Sequence, residues 1–382
     1  MPGSLSARLD ASGHFRFPRT RTRSGFAPAA RAAAPAPLVE IFQLVRSEPR
    51  LPGYSAIIES LRRAGLIHSR APVLRPLTGG ISSEILQVDD DGRQFVVKRA
   101  LAKLRVRDDW YADVSRSRVE QAYFRRVDAI VPHSVPRVLF SHPTEGWFAM
   151  EFLGDSFANW KDLLLQKRAE PGQARRAGEM LGRIHRATWG DAALAREFAT
   201  LENFRQLRLE PYLETTARRL PEFAALLRTE QVRLAQTALA LVHGDFSPKN
   251  ILLSPNRLVL LDAEVGWFGD PVFDTAFLLN HLHLKALVDG ASPEPLLALV
   301  PAFWDAYSAA LGKRADAELE RRNVRLVLCL MLARVHGKSP VEYLSAIAQH
   351  QFVTEFVRTH LPNPPAQIAE ITAHWREGLR RL

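Results

Sequence analysis

Between Leu241 and Asp274 the sequence reads LVHGDFSPKNILLSPNRLVLLDAEVGWFGDPVFD, with four hard oxygen donors at suggestive spacing. Asp245 follows His243-Gly244, Asn250 lies five residues further on, and Asp262-x-Glu264 comes twelve residues after that. Ile251–Leu253 and Leu258–Leu261 are short apolar runs flanking Ser254-Pro255-Asn256-Arg257, a turn-rich quartet, so the segment reads as a β-hairpin. A hairpin brings its ends together, so Asp245, Asn250, Asp262 and Glu264 are expected to converge. Three converging carboxylates repel one another unless a cation lies between them. Oxygen donors of this kind suit Mg²⁺. The order Asp, x4, Asn, then an acidic residue after a hairpin matches the phosphoryl-transfer template: one Asp handles the attacking hydroxyl, and the Asn and the later Asp hold metal. Either fragment alone could be a polar turn capping a strand; the ordered set argues for the chemistry.

Such a site needs a phosphate-binding element, and residues 73–100 offer one. Val73–Leu77 runs into Thr78-Gly79-Gly80-Ile81-Ser82-Ser83-Glu84, then Ile85–Val88, a turn at Asp90-Asp91-Gly92, and Gln94–Lys98. Gly79 and Gly80, with Ser82 beyond them, would let backbone N–H groups approach phosphate oxygens. Lys98 ends the returning strand on the face of Val96, where it is either an edge charge or the partner of a nucleotide's α- and β-phosphates. Glu120, in the helical pattern Ser117–Val127, would hold that lysine or stand as a surface charge. Trp147–Gly154 reads as an apolar strand leading to a hinge, where Met150, Glu151 and Phe152 offer backbone groups to a nucleotide base.

The elements that must position these groups follow from the rest of the chain. Residues 1–37 contain six arginines against one acid, half of the net +10 charge, and lack a hydrophobic period. They are expected to be a disordered basic tail. The other 345 residues carry +5 with no aromatic-interleaved basic stripe, which argues against nucleic acid. No apolar run reaches the length of a membrane span, and the single cysteine, Cys329, allows no internal disulfide, as in a reducing cytoplasm. Helical patterns at Leu38–Arg46 and Tyr54–Ala64 form an extension over 38–70, residues 71–152 a β-rich lobe, and 153–382 a helical lobe containing the hairpin. Within the latter, Leu201–Leu209, Pro211–Arg219 and Glu222–Val242 precede the hairpin. Phe273–Leu287, Glu294–Leu311, Ala317–His336, Pro340–Thr359 and Pro365–Leu382 follow it. His185 reads as a packed histidine, Asp274 as a helix N-cap, and Asp270 as a brace for the Asp245 loop.

Together, LTGGISSEILQV, VVKRA, Glu120, HGDFSPKN and LDAEVGWFGDPVFD resemble the aminoglycoside phosphotransferase and choline kinase superfamily, over roughly residues 70–350. The resemblance implies a two-lobed, protein-kinase-like α+β fold binding ATP and Mg²⁺. In it Asp245 is the base or hydroxyl-orienting group, Asn250 and Asp262 are metal ligands with Glu264 as ligand or support, Lys98 is the phosphate-binding lysine, and Glu120 is its partner. Asp262-x-Glu264, and Trp110 between the lysine and the Glu120 helix, are similar to methylthioribose kinase. Phe246–Asn250 departs from the Leu-His-x-Gly usual after HGD in the sugar kinases, which leaves the acceptor open.

The expected activity is transfer of the γ-phosphate to a hydroxyl of a small sugar-like or other neutral or anionic molecule by a cytoplasmic monomer or homodimer. Residues 281–382 carry ten acids and twelve Lys or Arg, a balance that disfavours a polycationic aminoglycoside. Arg334 and Lys338 could bind an acceptor anion or cap a helix C-terminus. The competing readings are an aminoglycoside O-phosphotransferase and a catalytically silent nucleotide-binding protein. Only twelve residues separate Asp262 from Asp274, too few for the activation segment of a protein kinase.

Overall fold

The computed structural model describes residues 54–77, 82–105, 110–288 and 292–382. The expected helix Leu38–Arg46 and both Gly79 and Gly80 lie outside them. The described chain begins with the helix Ser55–Arg63 and a five-stranded sheet: β1 Val73–Pro76, β2 Ser83–Asp90, β3 Arg93–Ala100, β4 Val138–Ser141 and β5 Trp147–Glu151. All neighbours pair antiparallel in the order β1-β2-β3-β5-β4.

Side chains alternate across a strand, and β3 uses both faces. Phe95 and Val97 pack with Ile57 and Leu61 of the first helix, under Trp147. Val96 packs with Tyr123, Phe124 and Val127 of the helix Arg116–Ile130. Lys98 shares the face of Val96, as the alternation predicts, and so points toward that helix and its Glu120.

The remainder is mostly helical. Pro171–Thr188 lies against Leu299–Leu311 with little space between backbones: a Cβ on Gly178 would stand 2.3 Å from the carbonyl oxygen of Phe303, and one on Gly182 2.6 Å from that of Tyr307. Val272–Val288 is almost wholly buried between its neighbours. The hairpin forms as expected, Ile251 opposite Leu260 and Leu253 opposite Leu258. Ahead of it, Ala240–Val242 pairs antiparallel with Trp267–Gly269.

Several helical expectations are corrected. Leu201–Arg219 is unbroken: a π-helical stretch, Arg205–Glu214, absorbs Pro211 by widening the turn, where a regular helix would clash with the proline ring. The helix predicted over Glu222–Val242 ends at Gln236, and Ala240–Val242 is strand. The helix predicted from Pro340 starts at Ile347. The preceding helix ends at His336, and only glycine fits after it, because a Cβ on Gly337 would meet Ala333 O at 2.3 Å and Pro211 O at 3.1 Å. The irregular stretch that results carries Glu342 and Tyr343. Among the described residues no helix is long and apolar enough to cross a membrane.

Candidate functional site

The loop His243–Asn250 is held by its own backbone chemistry. Gly244 has φ +79°, and a Cβ there would lie 2.7 Å from Val265 O, so a side chain is excluded on both counts. Asp245 N–H donates to His243 Nδ1 at 3.1 Å, while His243 Nε2 contacts Leu261 O at 3.0 Å. These bonds fix a neutral imidazole carrying its proton on Nε2. Burial lowers its pKa against the pull of Asp274 and Asp245. The ring thereby ties Asp245 to the chain just before Asp262.

Asp274 and Asp270 exchange the roles expected of them. Asp274 Oδ2 accepts from His243 N at 2.7 Å and its Oδ1 from Gly244 N at 2.8 Å. His185, fully buried, bridges Asp274 Oδ2 at 3.3 Å and Tyr307 OH at 3.1 Å, a packed role as expected. Asp270 accepts from Val272 N at 3.2 Å and pairs with Arg322 at 3.0 Å and with Arg233. Asp274 therefore braces the Asp245 loop and Asp270 caps the helix. Both aspartates sit near the helix start, and only the fold's return path decides which one faces the loop. Asp274→Asn would turn an amide N–H₂ toward donors, so it is expected to cost about 1.5–3 kcal/mol. Urea unfolding with an unchanged slope is the check.

Asp245 is buried and ionised. Burial opposes its charge, but Lys249 and then Arg208 outweigh that and hold the carboxyl below its ordinary pKa. Both cations reach Oδ2 at 3.1 Å. Arg208 also donates to Gly244 O at 2.6 Å. Asn250 Nδ2 donates to Asp245 O at 2.9 Å, which directs its Oδ1 elsewhere and leaves that oxygen for a cation.

Lys98 Nζ lies 2.7 Å from Glu120 Oε1 and 2.5 Å from Asp262 Oδ1, with the lysine and Glu120 both buried. One ammonium between two carboxylates compensates only one of them fully. Burial works against the Lys98 charge, but Asp262 and Glu120 hold its pKa well above the usual value. Burial raises Glu120, Lys98 opposes it, and the nearby Asp262 pushes it further, to about 7. Asp262 is lowered despite burial, chiefly by Lys98 and then Lys249. Its φ of +65° is rare for a residue with a side chain.

Glu264 does not join this group directly. Its Oε2 accepts from Arg116 Nε at 3.0 Å, both side chains being buried. The expected cluster of three mutually repelling carboxylates is thus corrected: Asp245, Asp262 and Glu264 each have a basic partner. No group of three or more His, Cys, Asp or Glu side chains able to hold a metal occurs among the described residues. Asn250 Oδ1 and the Asp262 carboxylate, whose side chain is 25% exposed, are oxygen donors that could hold a hard cation such as Mg²⁺. Such a pair leaves the remaining positions to water and phosphate oxygens, as Mg²⁺ usually has it.

Ser82 supplies no side-chain contact to Lys98; its carbonyl accepts from Arg116 Nη2 at 2.7 Å and from Leu101 N at 2.9 Å. Met150 and Glu151 end β5, but the Glu151 N–H is taken by Arg137 O at 2.9 Å. Its carboxylate is gripped by Arg257 at 2.7 and 3.1 Å. Trp110 Nε1 donates to Gln206 O at 3.2 Å, joining the β-rich part to the π-helical stretch.

Arg208, Lys249 and Arg116 were not foreseen. Lys249 sits inside the motif and could have been found from its i,i+4 offset to Asp245. Arg208 depends on the π-helical turn, which no local pattern announces. Arg116 opens a helix, where a cation runs against the dipole, and it is held by four carbonyls and Glu264.

Residues 73–321 match the sequence profile of the phosphotransferase enzyme family. The chain is 27% identical over 278 residues to methylthioribose kinase of Bacillus velezensis, covering 64% of this chain and 70% of that protein. It is 26% identical over 252 residues to methylthioribose kinase of Yersinia pseudotuberculosis, covering 56% and 61% respectively. An aminoglycoside phosphotransferase from Alicyclobacillus acidocaldarius superposes with a TM-score of 0.49 at 17% identity, over 88% of this chain and 99% of that one.

Proposed function

The chain belongs to the phosphotransferase enzyme family, and we propose that it is an ATP- and Mg²⁺-dependent kinase transferring the γ-phosphate to a hydroxyl of a small neutral or anionic molecule. The observation that carries this reading is the buried lysine bonded to Glu120 and Asp262, with the ionised Asp245 on the facing loop.

In the proposed mechanism Lys98 transfers its charge from Asp262 to the α- and β-phosphates of ATP, with Glu120 keeping the ammonium in place. Asn250 Oδ1 and the Asp262 carboxylate would hold Mg²⁺, whose contribution when bound would be neutralisation of phosphate charge. Glu264 acts through Arg116, which it anchors. Asp245 accepts a hydrogen bond from the acceptor hydroxyl and orients its oxygen in line with the γ-phosphorus. The new P–O bond forms as the bond to the β–γ bridging oxygen breaks, the electron pair leaves on ADP, and the hydroxyl proton passes to Asp245. Lys249, half-exposed and paired with Asp245 at 3.1 Å, stands where its charge would also serve the transferred group.

A sugar-like acceptor is favoured by the methylthioribose kinases among the relatives, and the departure at Phe246–Asn250 leaves its identity open. The test is ADP release from Mg²⁺–ATP across methylthioribose and other pentoses, choline, amino-alcohols, homoserine and aminoglycosides. One class responding strongly is expected; no ADP from any acceptor, with no nucleotide binding by calorimetry, sinks the reading.

A further inference from the structure

Phe277, His281 and Lys285 follow one another at i, i+4 spacing on the Val272–Val288 helix and so share a face. The near end of that face touches the Asp245 machinery. Phe277 stacks on Tyr212 with centroids 5.9 Å apart, and the Arg208 guanidinium lies 5.7 Å from the Phe277 ring and 5.6 Å from that of Tyr212. The far end carries Lys285, about two helical turns, roughly 12 Å, further along.

Lys285 is 2% exposed, and its Nζ has no hydrogen-bond partner. The ammonium stands 3.6 Å from the centroid of Tyr343. A ring face compensates a buried cation only in part, because the three N–H donors remain unspent. Tyr343 OH is bonded to His281 Nδ1 at 2.8 Å. Arg334 enters from the Ala317–His336 helix, its Nη1 3.0 Å from Tyr212 OH and 2.5 Å from Ser339 O, while its buried Nε has no partner. Lys161 borders the same region and pairs with Glu342. Two residues before it, Asn159 Nδ2 donates to Lys249 O at 2.7 Å, which joins this flank to the Asp245 loop.

Burial, then Lys161, lowers the Lys285 pKa to about 7, with Glu342 opposing and Arg334 adding to the fall. His281 is pushed well below its ordinary range by burial, then by Arg334 and Lys285. Glu342, which opposes this charge, has a side chain 65% exposed. Unpaired buried donors of like charge are unfavourable unless an anion meets them.

We infer that Lys285 and Arg334, with Tyr343 and His281 around them, form the subsite for a carboxylate or phosphate carried by the acceptor. This deepens the kinase reading and rests on it: the acceptor is an elongated anionic hydroxyl compound, its hydroxyl at Asp245 and its anion some two helical turns away.

The test uses the full chain with its nucleotide site filled by Mg²⁺–AMP-PNP, so that Lys98 is closed to added anions. Inorganic phosphate and, separately, acetate are titrated calorimetrically, which distinguishes the two anion types. Wild type is expected to bind one of them, and Lys285→Met and Lys285→Gln to bind it at least tenfold more weakly. In the ADP-release assay, ribose 5-phosphate against ribose, or homoserine against its amino-alcohol, should show a preference for the anionic member that the variants lose through KM.

Thermal melts report whether the variants fold. The folded-state pKa of Lys285 lies below its ordinary 10.5, so the unfolded chain binds the extra proton between about 7 and 10.5, and wild-type stability rises with pH across that window. Lys285→Met is therefore expected to melt higher than wild type near pH 6, by a margin that shrinks toward pH 10. Equal anion affinity in wild type and variants, or no anion binding to wild type, overturns the subsite even if the enzyme turns over. Lys285-dependent binding without turnover of any acceptor counts against the kinase reading and leaves the anion site standing.

Discussion

Asp245→Asn is expected to lower kcat about 10²–10⁴-fold, the range for losing a positioned general base, while leaving the Mg²⁺–ATP dissociation constant within a few-fold of wild type. The two effects separate because Asp245 and the nucleotide ligands use different partners. Asp245 is bound by Arg208 and Lys249 through Oδ2; Lys98 belongs to Glu120 and Asp262. The amide is nearly isosteric, so the backbone bonds from Asp245 N to His243 and from Asn250 to Asp245 O persist. Arg208 and Lys249 lose their counter-charge, and part of the rate loss will come from their shifting. ADP release under saturating acceptor, with calorimetry of AMP-PNP, separates the terms. A variant that turns over at near wild-type rate removes Asp245 from the mechanism; one that also fails to bind nucleotide shows that the loop has collapsed.

The sequence disclosed most where function is carried by a short ordered motif. The hairpin and the return of Lys98 onto the face of Val96 were legible from alternation and spacing, and Glu120 was offered as its partner by the motif resemblance; the direct pairing of Lys98 with Asp262 was not. The α+β fold class followed from the resemblance that those motifs carry, with strand patterns over residues 73–100 and helical ones around the hairpin in agreement with it. What stayed hidden required knowing how distant segments fold back. From sequence Asp274 read as the cap and Asp270 as the brace, and the structure reverses them because it is Asp274 that meets His243 N and Gly244 N. Arg208 and Tyr212 reach the Asp245 loop through a π-helical turn around Pro211, a position local rules treat as a helix break. Lys285 reads as a charge near a helix end; burial beneath Tyr343 gives it meaning. Arg334 was visible as a candidate anion ligand, but Lys285 was missed because its neighbours come from three separate elements.

Lys98→Met is the second large effect, and it tests the triad by pH as well as by affinity. Removing the ammonium leaves Glu120, buried, and Asp262, a quarter exposed, facing each other without a cation. Breaking a buried pair in this way costs about 3–5 kcal/mol, here reduced by the partial exposure of Asp262 and by Lys249, which also lowers its pKa. In the variant both carboxyl pKa values must rise above their unfolded values, near 4. The folded state then binds more protons than the unfolded state between that value and the raised ones. The stability deficit relative to wild type should accordingly grow with pH through the acid range, where Asp262 is ionised in the wild type but held protonated without Lys98, and grow again above about 7, where Glu120 ionises in the wild type and only at higher pH in the variant. Urea midpoints at pH 4.5, 6 and 7.5 measure this. A deficit independent of pH would mean that Lys98 contributes packing alone. Nucleotide affinity supplies the second axis: if Lys98 meets the α- and β-phosphates, Mg²⁺–ATP binding should fall at least tenfold at pH 7.5, and addition of Glu120→Gln should recover stability without recovering affinity.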